Sequence, residues 1–176
     1  MAVNLGFKVL PFDFAVCPAL SRLWTVWRGW AGERPAPAWT DVDLSDVPTD
    51  LLPMMTILDR LDDGRHRYRF WGTGLVELYG AEITGQILEE SLGQVFRRVT
   101  VEQLGHVYEC GSPMLFEAAL EKTSGASLVK YNIRLPIMDT PGRITKVMTA
   151  SVMERGDLPV YENAQEEWAA DRAFAE

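Results

Sequence analysis

Between Arg65 and Gly85 the chain reads RHRYRFWGTGLVELYGAEITG, and this stretch restricts the possible folds more than any other. Arg67, Tyr68, Arg69 and Phe70 alternate charged and aromatic, a period of two that predicts a strand with one wet and one buried face. Gly72 and Gly74 then interrupt the chain. Leu75, Val76, Leu78 and Tyr79 supply one or two apolar helical turns, which Gly80 ends at a position suited to a helix C-cap. Immediately upstream, the apolar run Met54 to Leu61 is bounded by Pro53 and by Asp62-Asp63-Gly64, a hairpin turn signal. The expectation is an antiparallel pair of strands whose second member enters a short helix through glycine.

Downstream, Leu92, Val95, Phe96, Val99, Gln103, His106 and Cys110 fall on one face at 3.6-residue spacing and predict a long helix over Leu92–Cys110. Gly105 weakens it by about 1 kcal/mol relative to alanine. Gly111-Ser112-Pro113 breaks the chain, and three strands follow at Met114–Lys122, Ser127–Leu135 and Ile144–Glu154. Their turns are Ser124-Gly125 and Asp139-Thr140-Pro141-Gly142. In the middle strand Tyr131, Ile133 and Leu135 alternate with Lys130, Asn132 and Arg134, so one face of the sheet is expected to be covered by helices and the other wet. Near the start, Leu20, Leu23, Trp24, Trp27 and Trp30 mark an amphipathic helix from Ala19 to Trp30. Gly32 and Pro35-Ala36-Pro37 close that helix. The division that results is an N-terminal arm without clear period (1–18), one α+β domain (19–156) and an acidic C-terminal tail (157–176), with no internal repeat.

A chain of 176 residues, 47% of them apolar, suits one domain with a sizeable core. Asp and Glu number 25 against 17 Lys and Arg, which repels phosphate backbones, and the only adjacent basic pair is Arg97-Arg98, so nucleic acid is not an expected partner. The two cysteines, Cys17 and Cys110, are too few for a disulfide framework, and their spacing suggests no metal site. Pro11, Asp13 and Pro18 interrupt the apolar run at Val9–Leu20 that would otherwise resemble a signal sequence, and no run reaches the roughly 20 residues that span a bilayer. The expected location is the cytoplasm, without membrane attachment.

This order of elements, together with specific residues, resembles a PAS-type sensor domain of a single-domain bacterial variety. Trp24, Trp27 and Arg28, then Pro37, Asp41, Asp43, Pro48 and Leu51-Leu52-Pro53, are similar to that variety's approach to the first strand. Tyr68, Arg69, Gly72, Thr73, Glu77, Leu78, Tyr79, Gly80, Thr84 and Gly85 are similar to its core motif. The resemblance covers roughly residues 20–154, and departs from the pattern at Leu135-Pro136-Ile137, where a usual Pro-Leu pair is reversed. It implies a PAS fold, with a five-stranded antiparallel sheet and helices on one face. The function it implies is sensory: a module in signal transduction that binds a small ligand or a partner protein, and not an enzyme. No kinase, cyclase or helix-turn-helix segment is recognisable in this sequence.

The resemblance leaves the cofactor unknown. A photoactive flavin would require a cysteine on the helix after the second strand, where neither Cys17 nor Cys110 stands. A haem would require a histidine aimed from the long helix. His106 lies on that helix's apolar face, but its neighbours do not match a haem-ligating pattern, and a lone histidine there is more often a hydrogen-bonded core residue. Cys110 with His106 lacks an oxyanion-stabilising turn, and Asp59, Arg60 and Asp62-Asp63 lack a nucleophile, so neither group reads as catalytic. A ligand pocket between the sheet and the helices would be lined by Tyr68, Phe70, Leu75, Leu78, Tyr79, Val95, Val99, His106, Phe116, Tyr131 and Ile133. A fully packed core would use the same residue types. The tryptophan stripe has two readings, as a cap on the domain's own sheet or as a homodimer interface through Leu20–Trp30; the resemblance favours the dimer. The rival functions are a small cone-shaped α+β enzyme of the isomerase or dehydratase type and a ligand-free scaffold.

Overall fold

The apolar run after Pro53 forms a strand, β2 (Met55–Arg60), and the alternating segment after it forms β3 (His66–Trp71), paired antiparallel. Gly64 takes φ 86° in the turn between them, and its N–H donates to the Leu61 carbonyl. These elements belong to a computed structural model that describes residues 3–91, 93–122 and 127–153. The proposed tail 157–176 and the Ser124-Gly125 turn therefore lie outside the described residues.

The remaining strands are β1 (Val3–Leu10), β4 (Met114–Lys122), β5 (Ser127–Ile137) and β6 (Lys146–Met153). The helices are α1 (Ala19–Ala31), α2 (Thr73–Tyr79), α3 (Leu88–Ser91) and α4 (Gln94–Cys110). The sheet is antiparallel in order β1-β4-β5-β6-β2-β3, with six strands rather than the expected five. The sixth is β1, formed by residues of the segment read as an arm. It joins β4 in a register that sets Lys8 opposite Glu117, and the two side chains form a 2.9 Å ion pair.

Both faces of the sheet are covered. On one, Leu20, Leu23, Trp27 and Ala31 of α1 pack with Met55, Ile57, Tyr131, Ile133, Leu135, Met148 and Ala150. Trp27 is 1% exposed, and its indole N–H donates to the Pro136 carbonyl at 2.9 Å. Burying a side chain such as Leu20 or Leu23 contributes about 1.5–3 kcal/mol, so α1 is bound firmly to its own sheet. The other face carries Leu58, Tyr68, Trp71, Phe116 and Val147 against Leu75, Ile83, Leu88, Leu104 and Val107 of the α2–α4 layer. The single wet face expected from the alternation in the middle strand is therefore not observed: residues 131–137 are all buried. Strand and helix periods reveal which residues share a face, but not that a second helix covers the far side.

Glycine fixes the entry to α2. A Cβ at Gly72 would lie 2.3 Å from the Pro53 carbonyl oxygen, so the turn preceding β2 and the start of α2 meet at a distance only glycine permits. Gly80 closes α2 in the left-handed region, with its N–H on the Val76 carbonyl, and Gly111 does the same for α4 from Val107.

Candidate ligand-binding site

A cavity of about 40 Å³ lies between the sheet and the α2–α4 layer. The sheet contributes Thr56 and Leu58 from β2, Tyr68 and Trp71 from β3, Lys130, Asn132 and Arg134 from β5, and Thr149 and Ser151 from β6. The helices contribute Leu75 and Tyr79 from α2 and Phe96 and Thr100 from α4. The lining is uneven: β5 and β6, its floor, supply only polar side chains, while the apolar ones, Leu58, Trp71, Leu75 and Phe96, come from β2, β3 and the helices, together with Thr56, Tyr68, Tyr79 and Thr100.

The period of two builds the floor. Lys130, Asn132 and Arg134 are successive alternate positions of β5, and Asn132 and Arg134 stand opposite Ser151 and Thr149 of β6. The Ser151 hydroxyl donates to Asn132 Oδ1 at 2.8 Å. Arg134, 5% exposed, donates from Nε (3.0 Å) and Nη2 (2.8 Å) to Gln103 Oε1 and from Nη1 (2.9 Å) to Thr149 Oγ1. Lys130 Nζ stands 5.6 Å from the centre of the Phe96 ring. Burial lowers the Lys130 ammonium to about 7, the neighbouring Arg134 charge acting in the same direction. Burial likewise lowers Arg134 to about 10, and raises the Tyr68 hydroxyl above its ordinary value.

Beside this floor lies a second polar group. His66 Nδ1 is 2.6 Å from Glu89 Oε1, its ring stacks on Tyr108 with centroids 5.6 Å apart, and the Arg60 guanidinium lies 4.2 Å from the Tyr108 ring centre. His66 Nε2, Tyr108 OH and Gln103 Nε2 are buried without a hydrogen-bond partner among the described residues.

The residues proposed from sequence are distributed unevenly about this cavity. Tyr68, Leu75 and Tyr79 line it. Val99 is buried on α4, and Leu78 is partly buried against the same core. Phe116 is buried in that core as well, next to Phe7 (5.8 Å) rather than at the cavity. The Val95 side chain lies outside what the structure describes. Phe70, Tyr131 and Ile133 pack on the opposite, α1-covered face.

For Phe70 the reason is a β-bulge. Ile57 pairs with Phe70 and Leu58 with Tyr68, so Arg69 is an extra residue that turns Phe70 away from the face carrying Tyr68. His106 is exposed, its ring 5.8 Å from Phe7, because α4 turns Gln103, Leu104 and Val107 toward the sheet instead. Cys110 is exposed at the end of α4, and Cys17 is buried just ahead of α1. Sequence reasoning missed the polar floor. The available signal was polar residues at alternate positions in two adjacent apolar strands, Lys130-x-Asn132-x-Arg134 and Thr149-x-Ser151.

The sequence profile of the PAS domain family matches residues 16–150, and the chain belongs to that family of sensory domains. No curated protein matches it. Among solved structures it is similar to a fungal light-oxygen-voltage domain photoreceptor, at 17% identity and TM-score 0.42 over 81% of this chain and 98% of that one. It is also similar to the light-state dimer of the fungal blue-light photoreceptor Vivid, at 14% identity and TM-score 0.42 over 81% and 97%. A third is an RNA-binding light-oxygen-voltage receptor, at 11% identity and TM-score 0.42, covering 99% of this chain and 43% of that one. Among the described residues no helix is long and apolar enough to cross a membrane, and no group of three His, Cys, Asp or Glu side chains could hold a metal ion.

Proposed function

We propose that this chain is a non-enzymatic sensory module of the cytoplasm, which binds a small polar molecule between its sheet and α4 and passes the event to a signalling partner. The observation that carries this reading is the cavity itself. Its floor gathers Lys130, Asn132, Arg134, Thr149 and Ser151 on one side of an otherwise largely apolar layer, the convergence of polar groups in a mostly apolar cavity that suits a small ligand. Native mass spectrometry of protein purified from its own host tests the proposal. A retained small molecule is expected, and a bare polypeptide mass, with no thermal shift from any compound in a metabolite panel, would remove it in favour of a scaffold.

Signal output runs through α1 in this reading. The inner stripe of α1 is committed to the sheet, so a homodimer formed through this helix uses its outer face. There Trp24 is half-buried and Arg28 exposed, beside exposed Phe12 and Val16.

A further inference from the structure

Resting on the sensory reading, we infer that the cavity takes a small organic carboxylate of about three to five non-hydrogen atoms, its anionic end on Lys130 and Arg134 and its short apolar end against Trp71, Leu75 and Phe96. The argument begins with charge. The chain carries a formal net charge of −8, and among the described residues Lys8, Arg22, Arg34, Arg65, Arg67, Arg69, Arg143 and Lys146 all pair with carboxylates. Outside the cavity Arg28 and Arg60 lie over aromatic rings and Arg97 donates to a backbone carbonyl; the two cations that face the cavity likewise meet no carboxylate among the described residues. Arg134 meets only the neutral Gln103 amide and Thr149 hydroxyl, and Lys130 has an aromatic ring as its one described polar contact. Arg134 is 5% exposed and Lys130 half-buried, and drawing two like charges even partly out of water without a counter-charge is unfavourable. An anion in the cavity relieves both at once.

The donors that would hold it are available. A guanidinium has five N–H groups; the three contacts above leave Arg134 two, and the Lys130 ammonium, when protonated, offers three more. Size and polarity narrow the class. A cavity of 40 Å³ accommodates about three waters at roughly 10–15 Å³ each, the space of a formate- or acetate-sized group. A phosphate would set one of its oxygens against the apolar side chains, whereas a carboxylate presents one polar end and one apolar end to a cavity whose lining is uneven in the same way.

The free protein holds Lys130 near 7 by burial, and bound anion restores the charge, so binding takes up a proton above that pH. The groups around it that bear on this are Arg134 on β5, Tyr68 on β3 and Tyr79 on α2; among the described residues no carboxylate lines the cavity.

The experiment is calorimetric titration and thermal shift with formate, acetate and propionate, against acetamide, propionamide and inorganic phosphate, in a low-chloride zwitterionic buffer. Carboxylates are expected to raise the melting temperature while the uncharged amides do not. Acetate affinity is expected to fall at least threefold from pH 6.5 to 8.5, and Lys130→Met, which replaces the amine by a side chain of similar length, to lose at least tenfold in affinity while remaining folded. Amides binding as well as acids, phosphate binding in place of carboxylates, or full acetate affinity in Lys130→Met would each overturn the carboxylate assignment. If the carboxylates are silent but a neutral metabolite shifts the protein, this inference falls and the sensory reading stands. Silence toward every compound, with no retained mass, removes both.

Discussion

Gly72 and Lys130 show how much individual positions decide. With a Cβ 2.3 Å from the Pro53 carbonyl oxygen and 2.6 Å from that of Leu52, Gly72→Ala must push backbone against backbone. It is expected to destabilise the fold by about 1–3 kcal/mol, read from urea denaturation. Lys130 acts through protons. Its folded value, about 7, lies below the roughly 10.4 of an unfolded lysine. Below pH 7 both states carry the proton, and the burial penalty is present in full. Between pH 7 and 10 the unfolded chain binds a proton that the folded one lacks, so stability rises with pH, by up to about 1.4 kcal/mol per unit for this group. Comparing urea midpoints of the parent and Lys130→Met at pH 7, 8 and 9 isolates that slope; parallel profiles would show that the amine is not desolvated.

At the scale of elements, α4 carries an avoidable cost. Gly105 sits in its interior, and a Cβ there would meet nothing within 4 Å. Gly105→Ala is therefore expected to stabilise by about 0.5–1 kcal/mol, raising the melting temperature by a few degrees. The sequence made most elements legible: the hairpin through Asp62-Asp63-Gly64, the short helix closed by Gly80, the long helix to Cys110 and the final three strands all carry local signals. β1 carries none of that kind. Its partner is β4, more than a hundred residues away, with Phe7 opposite Ala118, and no adjoining turn announces the pairing. The site was legible only in part for a related reason. Tyr68 and Phe70 look equivalent in a period of two, but the bulge at Arg69 separates them, and that irregularity depends on the register with β2. Tyr131 and Ile133 read as cavity residues because apolar residues suit an inner face, and here α1 provides a second inner face for them.

For the whole molecule, the open question of assembly is settled by which side of α1 is altered. Trp27 is buried and bonded to the Pro136 carbonyl, so its loss damages the fold and says nothing about partners. Trp24 stacks on the buried Trp27, whereas Val16→Ser with Arg28→Glu changes exposed positions alone. If a dimer forms there, sedimentation velocity is expected to show the mass halved while circular dichroism stays the same; an unchanged mass would rule out that interface.

β5 has one further consequence. Alternate side chains of this single strand belong to different compartments: Lys130, Asn132 and Arg134 look into the cavity, while Tyr131, Ile133 and Leu135 support α1, and Pro136 holds the Trp27 indole. The two compartments are one backbone's thickness apart. Whatever shifts or tilts the strand from below is felt directly by the helix resting above, so a stimulus arriving inside needs no hinge and no long relay to reach the exterior.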